Sequence, residues 1–96
     1  MNAIFDKRCA RCLRPLSDRD LEAAVAAMHA AAATFGQPHL HSGRGIQQLR
    51  PGLYECRSGL GLRLLFERHV DTLHFVFAGN HDDIQAYLKN RRHKPR

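Results

Sequence analysis

Three short segments of period-two alternation between residues 53 and 78 constrain this chain more than any other feature. Apolar side chains mostly fall at every second position, and turn signals at residues 58–61 and 70–72 separate the segments. Such alternation is typical of strands with one buried face, and short turns between consecutive strands favour antiparallel pairing. We therefore expect an antiparallel sheet here. Residues 46–49, which precede a turn signal at 51–52, can supply one more strand at its start.

The alternation sorts the side chains of these strands onto two faces. The face that we expect to pack against helices carries Tyr54, Cys56, Leu62, Leu64, Phe66, Leu73, Phe75 and Phe77. The opposite face carries Val76, Ala78 and the polar residues Arg57, Arg63 and His74. The two arginines stand side by side in only one hairpin register, because a slip of one residue moves a strand's whole set to the other face.

Two helices are predicted ahead of the sheet. Residues 2–5 fit either a brief edge strand or a lead-in turn, and residues 5–13 predict a short helix. A longer, alanine-rich helix begins after Ser17, a favourable N-cap, and ends at Gly36, a favourable C-cap. We expect the buried stripe of this longer helix to comprise Leu21, Val25, Met28 and Ala32, with Phe35 near its end.

Cys9 and Cys12 form a C-x-x-C pair with two interpretations. A zinc site is one, since His39 and His41 in the following loop can complete a set of four ligands. The other is structural, because both thiols fall on the apolar face of the short helix. A lone C-x-x-C is a weak metal signal, so we expect core packing, as for Cys56. Three cysteines, an odd number, favour a reducing compartment over a disulfide framework.

The charge balance narrows the class of partner. The chain has 96 residues, which predicts one domain over 1–96, and a formal net charge of +6 with twelve arginines and three lysines. A small basic domain favours a polyanion or an acidic protein, because guanidinium groups bind phosphate and carboxylate in the same fork geometry. The absence of an apolar run of ~20 residues and of a secretory signal predicts a cytoplasmic protein without a membrane span.

A third helix is predicted over residues 81–89, after a break at 79–80, with Ile84 on its apolar stripe. Five of the eight residues from 89 to 96 are Lys or Arg, and none is acidic. This basic tail either follows a phosphate backbone or is a flexible, solubilising end. The charge favours contact with RNA.

Three motifs follow one another along the sheet and its corner: LYECR at 53–57, LRLLF at 62–66 and FAGNHDD at 77–83. Behind a helical hairpin, this order resembles the RelE/ParE superfamily of type II toxin–antitoxin toxins, above all its RelE-like and HigB-like branches, over roughly residues 5–90. The resemblance implies an α+β fold. In it, an N-terminal helical hairpin packs on a three- to four-stranded antiparallel sheet, and a short C-terminal helix follows.

The resemblance also implies a function. It is that of an mRNA interferase, an endoribonuclease toxin that inhibits translation and is neutralised by a cognate antitoxin, with mRNA, free or on the ribosome, as its substrate. Such enzymes use no metal and no small-molecule cofactor. A ribose 2′-OH attacks the adjacent phosphate and leaves a cyclic phosphate, so the site must transfer protons and stabilise charge on the pentavalent phosphorus.

The resemblance assigns roles to individual residues. Arg57 matches the strand arginine at the phosphate, and Arg63 matches the arginine of the next strand. His81 stands at the corner and is the candidate general acid or base, since an ordinary imidazole has a pKa near 6.5. Tyr87 resembles a tyrosine near the C-terminus of some members and completes the catalytic set. The expected RNA-binding residues are His39, His41, Lys89, Arg91, Arg92 and Lys94.

Other interpretations remain open at this stage. ParE-like members inhibit gyrase instead of cutting RNA, and a member can also bind RNA without catalysis. The chain departs from RelE in having no lysine between residues 7 and 89, a gap that the loop histidines can fill. The two strand arginines can also pair with Glu55 and Glu67 across the sheet, which would neutralise the patch.

Overall fold

A computed structural model of the chain describes residues 1–37, 45–59 and 61–92. The predicted helices and strands are present, with bounds that differ by a few residues from those expected. Their order is β1 (Asn2–Phe5), α1 (Lys7–Leu13), α2 (Asp18–Thr34), β2 (Gln47–Arg50), β3 (Leu53–Ser58), β4 (Leu62–His69), β5 (Thr72–Gly79) and α3 (His81–Arg92).

In the part of the chain that the structure describes, the sheet has five strands in the order β1-β5-β4-β3-β2. Strands β2 to β5 form an antiparallel meander, as predicted. β1 pairs parallel with β5, and Asn2 lies opposite Thr72. The α+β class is confirmed, whereas the expected three to four antiparallel strands become a mixed sheet of five. The fifth strand is β1, at one edge of the sheet. It can pair parallel with β5 because α1 and α2 then carry the chain across to β2 at the other edge.

Side-chain caps explain where the first two helices begin. The Oδ1 atom of Asp6 accepts a hydrogen bond from the N–H of Cys9 at 2.9 Å, and the hydroxyl of Ser17 accepts one from the N–H of Asp20 at 3.1 Å. Each cap satisfies a backbone donor that the helix leaves unpaired. The predicted end of α2 is confirmed. Gly36 follows its last turn with a φ of 87°, a conformation that suits glycine.

The main hydrophobic core lies between the sheet and the two N-terminal helices. Its centre is aromatic, since Phe66 and Phe75 are both fully buried and their ring centroids lie 4.9 Å apart. The predicted stripe of α2 is right in its C-terminal half and wrong for Leu21 and Val25, which are each 37% exposed. α2 turns alanines toward the sheet instead, because small side chains let a helix lie close to the strands. The buried helical residues are Cys9, Leu13, Ala24, Met28, Ala31 and Ala32.

A β-bulge in β5 changes the face that its last residues occupy. The pairing with β4 shifts between Leu65 and Phe66, and Val76 is the extra residue on β5. An inserted residue advances the strand by one position, so the alternation is inverted beyond it. Phe77 therefore lies on the face opposite the main core and Ala78 lies in the main core, which is the reverse of the predicted arrangement.

α3 covers the centre of that opposite face, called the α3 face from here on. The Nη2 group of Arg50 donates a hydrogen bond to the carbonyl of Leu88 at 2.8 Å, which ties α3 to the end of β2. The buried cluster between α3 and the sheet consists of Leu53, Leu65, Val76, Ile84 and Tyr87.

No helix that the structure describes is long and apolar enough to cross a membrane.

Candidate functional site

Two arginines stand side by side at one end of the α3 face. Arg57 on β3 and Arg63 on β4 are direct cross-strand partners, so the register that brings them together is the one that forms. On its other side, Arg63 pairs with Gly79 at the end of β5. Like charges that face each other across a strand pair repel. An anion bound between them would remove that repulsion, which makes this end of the sheet a candidate phosphate site.

The two arginines differ in whether a nearby carboxylate neutralises their charge. The Nη1 atom of Arg63 lies 3.0 Å from the Oε2 atom of Glu55, whose side chain is only 5% exposed. The predicted alternative, pairing with Glu55, is therefore correct for Arg63. Arg57 is exposed, and no carboxylate among the residues that the structure describes forms an ion pair with it. Arg57 is consequently the cation best placed to meet a ligand.

The corner between β5 and α3 carries His81, two residues beyond Gly79, the cross-strand partner of Arg63. The N–H of Asn80 donates to Oδ2 of Asp83 at 3.0 Å, and the N–H of Asp83 donates to Oδ1 of Asn80 at 2.8 Å. This reciprocal pair is a capping box, which fixes the start of the helix. A Cβ atom added at Gly79 would lie 2.6 Å from Cβ of Asp83, so this close turn requires glycine. His81, exposed and first in α3, therefore has a well-defined backbone position two residues beyond the partner of Arg63. The group of Arg57, Arg63 and His81 is called the arginine end below.

Tyr87 is buried in the cluster between α3 and the sheet. Its side chain is 6% exposed, and its ring stacks on that of Phe77 with centroids 4.6 Å apart. The guanidinium carbon of Arg8 lies 5.8 Å from the centre of the Tyr87 ring. Tyr87 thus packs α3 onto the sheet, and its catalytic role remains a prediction.

Three of the six expected RNA-binding residues belong to the part of the chain that the structure describes. Lys89 is exposed in the C-terminal half of α3, and Arg91 and Arg92 belong to its last turn. α3 has 12 residues, or about 18 Å at the usual rise per residue. Lys89 comes eight residues after His81, or about 12 Å along the helix axis. His39, His41 and Lys94 lie outside the residues that the structure describes, so their roles stay predictions.

A groove reaches Arg57 from the other side of β3. It has a volume of about 370 Å³ and lies between five alanines of α2 and residues 56–59 of β3 and its turn. The alanines create it, because their methyl groups leave space that larger side chains would fill. The sequence contains the signal for this groove in the alanine-rich pattern of α2, but the rotation of the helix on the sheet decides where the space opens.

Solved structures with a similar fold include a chain of a toxin–antitoxin complex. A chain of the RelBE2 toxin–antitoxin complex from Mycobacterium tuberculosis is 24% identical, and the match covers 83% of this chain and 96% of that one, with a TM-score of 0.60. YafQ from Escherichia coli is 12% identical over 86% and 96% of the chains, with a TM-score of 0.66. A conserved hypothetical protein from Helicobacter pylori is 14% identical over 85% and 96%, with a TM-score of 0.57. The chain has the fold of RelE-type toxins. No protein-family model and no curated protein matches the sequence.

The RelE-type fold confirms the architecture that the motifs predicted. At 24% identity and below, the likeness concerns the path of the backbone. The chemistry must therefore be argued from the side chains of this chain, above all from the exposed Arg57 and from Arg63, which pairs with Glu55.

Two of the three cysteines, Cys9 and Cys56, are buried in the main core. Burial raises the pKa of the Cys9 thiol to about 12, and the nearby Cys12 and Asp6 add to the effect. Burial also raises the pKa of Cys56 to about 12, with a further contribution from Glu55. A thiol of such high pKa stays protonated at neutral pH, which disfavours nucleophilic attack because that step needs the thiolate. The expectation of core packing for Cys9 and Cys56 is confirmed.

Proposed function

We propose that this protein is the toxin of a type II toxin–antitoxin system and that it cuts RNA without a metal ion. The observation that supports this most is the arginine end. On a RelE-type fold, the exposed Arg57 stands opposite Arg63 and close to the corner that carries His81. A permanent cation beside a proton-transfer group is what cleavage of a phosphodiester by its own ribose hydroxyl requires.

The proposed reaction is transesterification. The 2′-oxygen forms a bond to the adjacent phosphorus, and the bond between phosphorus and the 5′-oxygen breaks. The products are a 2′,3′-cyclic phosphate and a 5′-hydroxyl. A base takes the proton of the 2′-OH, and an acid gives a proton to the leaving 5′-oxygen. Arg57 stabilises the negative charge on the non-bridging oxygens, a contribution worth roughly 10²- to 10³-fold in rate for a single well-placed donor.

His81 carries one of the two proton transfers. A neutral imidazole accepts the proton of the 2′-OH, and an imidazolium donates one to the 5′-oxygen, so the residue suits either step. Arg63 contributes to phosphate binding to the extent that it can leave Glu55. Tyr87 supports the site from beneath by holding α3 on the sheet, and its hydroxyl completes the proposed catalytic set.

The basic half of α3 continues the RNA path. Lys89, Arg91 and Arg92, together with Lys94, attract phosphates along the strand, and His39 and His41 contact RNA from the loop before the sheet. Contacts of this kind release counterions, so affinity falls as salt rises. The proposed substrate is mRNA, free or on the ribosome, and the proposed compartment is therefore the cytoplasm.

A cognate antitoxin is the proposed protein partner. The similar Mycobacterium tuberculosis structure is a toxin–antitoxin complex, which supports a partner of this class. An antitoxin for this chain needs acidic side chains for Arg57 and apolar ones for the sheet face beside it. Loss of co-purification on charge reversal at Arg57 is the expected result.

The direct test is cleavage of mRNA by the purified protein, with and without ribosomes. We expect Arg57→Ala to lower the rate by about 10²- to 10³-fold and His81→Ala by about 10²- to 10⁴-fold. Arg19→Ala is the matched control, because Arg19 is an exposed arginine at the start of α2, on the other side of the sheet. It removes the same charge and should leave the rate unchanged.

Three outcomes would contradict the proposal in different ways. Full activity in both site variants would place the chemistry elsewhere. Intact RNA with inhibited DNA supercoiling would identify a ParE-like gyrase inhibitor. RNA binding that weakens steeply with salt and produces no cleavage would identify a binding module without catalysis.

A further inference from the structure

A second polar group occupies the opposite end of the α3 face. Glu67 and His69 lie two positions apart on β4, and His74 on β5 is the direct cross-strand partner of Glu67. The three side chains therefore point to the same side of the sheet. Arg63 and His69 are six residues apart on β4, or about 20 Å at the rise of a strand. The group is thus remote from the arginine end.

The donor atoms of these three residues converge. One ring nitrogen of each histidine and a carboxylate oxygen of Glu67 all lie within 4.8 Å of one another. The Nε2 atom of His69 is 3.1 Å from Oε1 of Glu67, and the rings of His69 and His74 are 5.8 Å apart between centroids. Ligands at the usual zinc distances of ~2.0–2.1 Å lie roughly 3.3 Å from each other in a tetrahedron. Binding would therefore require side-chain rotations that bring the donor atoms closer together.

We propose that Glu67, His69 and His74 bind a zinc ion, with water as the fourth ligand. Two imidazoles and one carboxylate form a donor set that zinc uses in proteins, with one position left open. The metal would replace the hydrogen bond between His69 and Glu67. It would connect β4 to β5 across their turn, at the end of the sheet opposite the arginine end.

The hairpin holds the three ligands before the metal binds. β4 and β5 are joined by residues 70–71, and Val70 adopts a left-handed conformation with a φ of 53°. The cross-strand register of Glu67 and His74 extends directly from this tight turn. A preformed group of donors loses little conformational freedom on binding, so the ordering cost of the site is small.

The chemistry of the donors selects the class of ion. Imidazole suits Zn²⁺, Ni²⁺ and Cu²⁺, whereas Mg²⁺ and Ca²⁺ prefer sites made of oxygen atoms alone. The site therefore differs in kind from the magnesium sites of many nucleases. It also differs from the C-x-x-C pair, where Cys9 is fully buried in the main core.

The test is calorimetric titration of the full chain with Zn²⁺, followed by Mg²⁺ in a separate titration. We expect one zinc site whose affinity falls at least tenfold in His69→Gln and in His74→Gln, and no heat of binding with Mg²⁺. His29→Gln is the matched control, because His29 is an exposed histidine on α2. It should bind zinc as the unchanged protein does. Free zinc at about 100 times Kd should raise Tm by roughly 10–20 °C.

Two further measurements separate this site from other zinc ligands and from the proposed reaction. The imidazole ¹⁵N resonances of His69 and His74 should shift on titration, and a Co²⁺ complex should lack thiolate charge-transfer absorption. RNA cleavage should persist in a metal chelator, while Tm falls. Unchanged zinc affinity in the His69→Gln/His74→Gln double variant would overturn the proposal, as would a thiolate signature for the bound Co²⁺.

Discussion

The two faces of the sheet are built from different kinds of side chain. Under α1 and α2, the face is mainly apolar, with Arg68 exposed at one end, and its buried apolar residues on β3 to β5 are Cys56, Leu64, Phe66, Leu73, Phe75 and Ala78. The apolar centre under α3 is short, and polar groups stand on both sides of it. They are Arg57 and Arg63 at one end and Glu67, His69 and His74 at the other.

The difference follows from how much of each face is covered. α1 and α2 together lie over the first face, whereas the 12 residues of α3 lie over the second. A charged group is costly to bury without a partner, so charges occur where the cover ends. One face thus provides most of the stability, and the other provides the exposed chemistry. The two functions can be changed separately, and three predictions test that separation.

The largest effect is expected for the main core. Phe66→Ala should lower the free energy of unfolding by about 3–5 kcal/mol, because the fully buried ring leaves a cavity among other aromatic rings. The matched change on the α3 face is Phe77→Ala, which removes a partly buried ring and should cost about 1–2 kcal/mol. Urea unfolding of both variants gives the comparison. Equal losses would mean that the two faces contribute equally to stability.

A smaller effect is expected at alkaline pH, again from the main core. Cys9 and Cys56 have pKa values near 12 in the folded protein, against 9.0 for an ordinary thiol. Above pH 9 the unfolded chain loses these protons and the folded chain keeps them. The contribution of the two buried thiols to the free energy of unfolding is therefore complete below pH 9 and is lost as the pH rises toward 12.

The loss between pH 9 and 11 should amount to a few kcal/mol for the two thiols together, at about 1.4 kcal/mol per pKa unit. Unfolding in urea at several pH values measures it. Cys56→Ala should have a shallower decline than the unchanged protein, because only Cys9 then titrates late. Parallel curves for the two proteins would show that the Cys56 thiol is not kept protonated by burial.

The smallest effect is expected at the arginine end. Glu55→Gln removes the partner charge of Arg63, and we expect a cost of about 1–2 kcal/mol in unfolding free energy, since the arginine can turn to solvent. The released charge should strengthen RNA binding at low salt. The slope of log affinity against log salt concentration should become steeper by the equivalent of about one phosphate contact. Binding measured over a series of salt concentrations tests this. Glu22→Gln, at an exposed position on α2, is the control, and an equal change there would point to net charge alone.

The alternation of apolar residues was enough to predict the meander and its inner face up to residue 75. It failed at Phe77 and Ala78, since the bulge at Val76 arises from pairing with β4 and leaves no local signal. The parallel pairing of β1 was beyond prediction for a similar reason. Four residues at the start of the chain carry no information about a partner strand that lies almost at its end.

The site was predictable in part. The corner histidine follows from the Gly-Asn break, which the sequence indicates, whereas the side-by-side arginines depend on a hairpin register that the sequence left open. The ion pair between Glu55 and Arg63 was one of two alternatives that the sequence left open, because only side-chain geometry decides whether an arginine is paired. Glu67, His69 and His74 were overlooked as a group. Their signal is a Glu-x-His segment that a tight turn separates from a further histidine, and it becomes visible only once the strands are aligned.

The position of β1 also bears on the order in which the molecule can assemble during its own synthesis. Asn2 pairs with Thr72, so about 70 residues separate the two partners. The meander of β2 to β5, by contrast, is made of neighbours along the chain. Contacts between distant segments close late because their loops cost more entropy. β1 must therefore wait for β5, the last strand of the sheet to be synthesised, and His81, just beyond that strand, is made at almost the same moment.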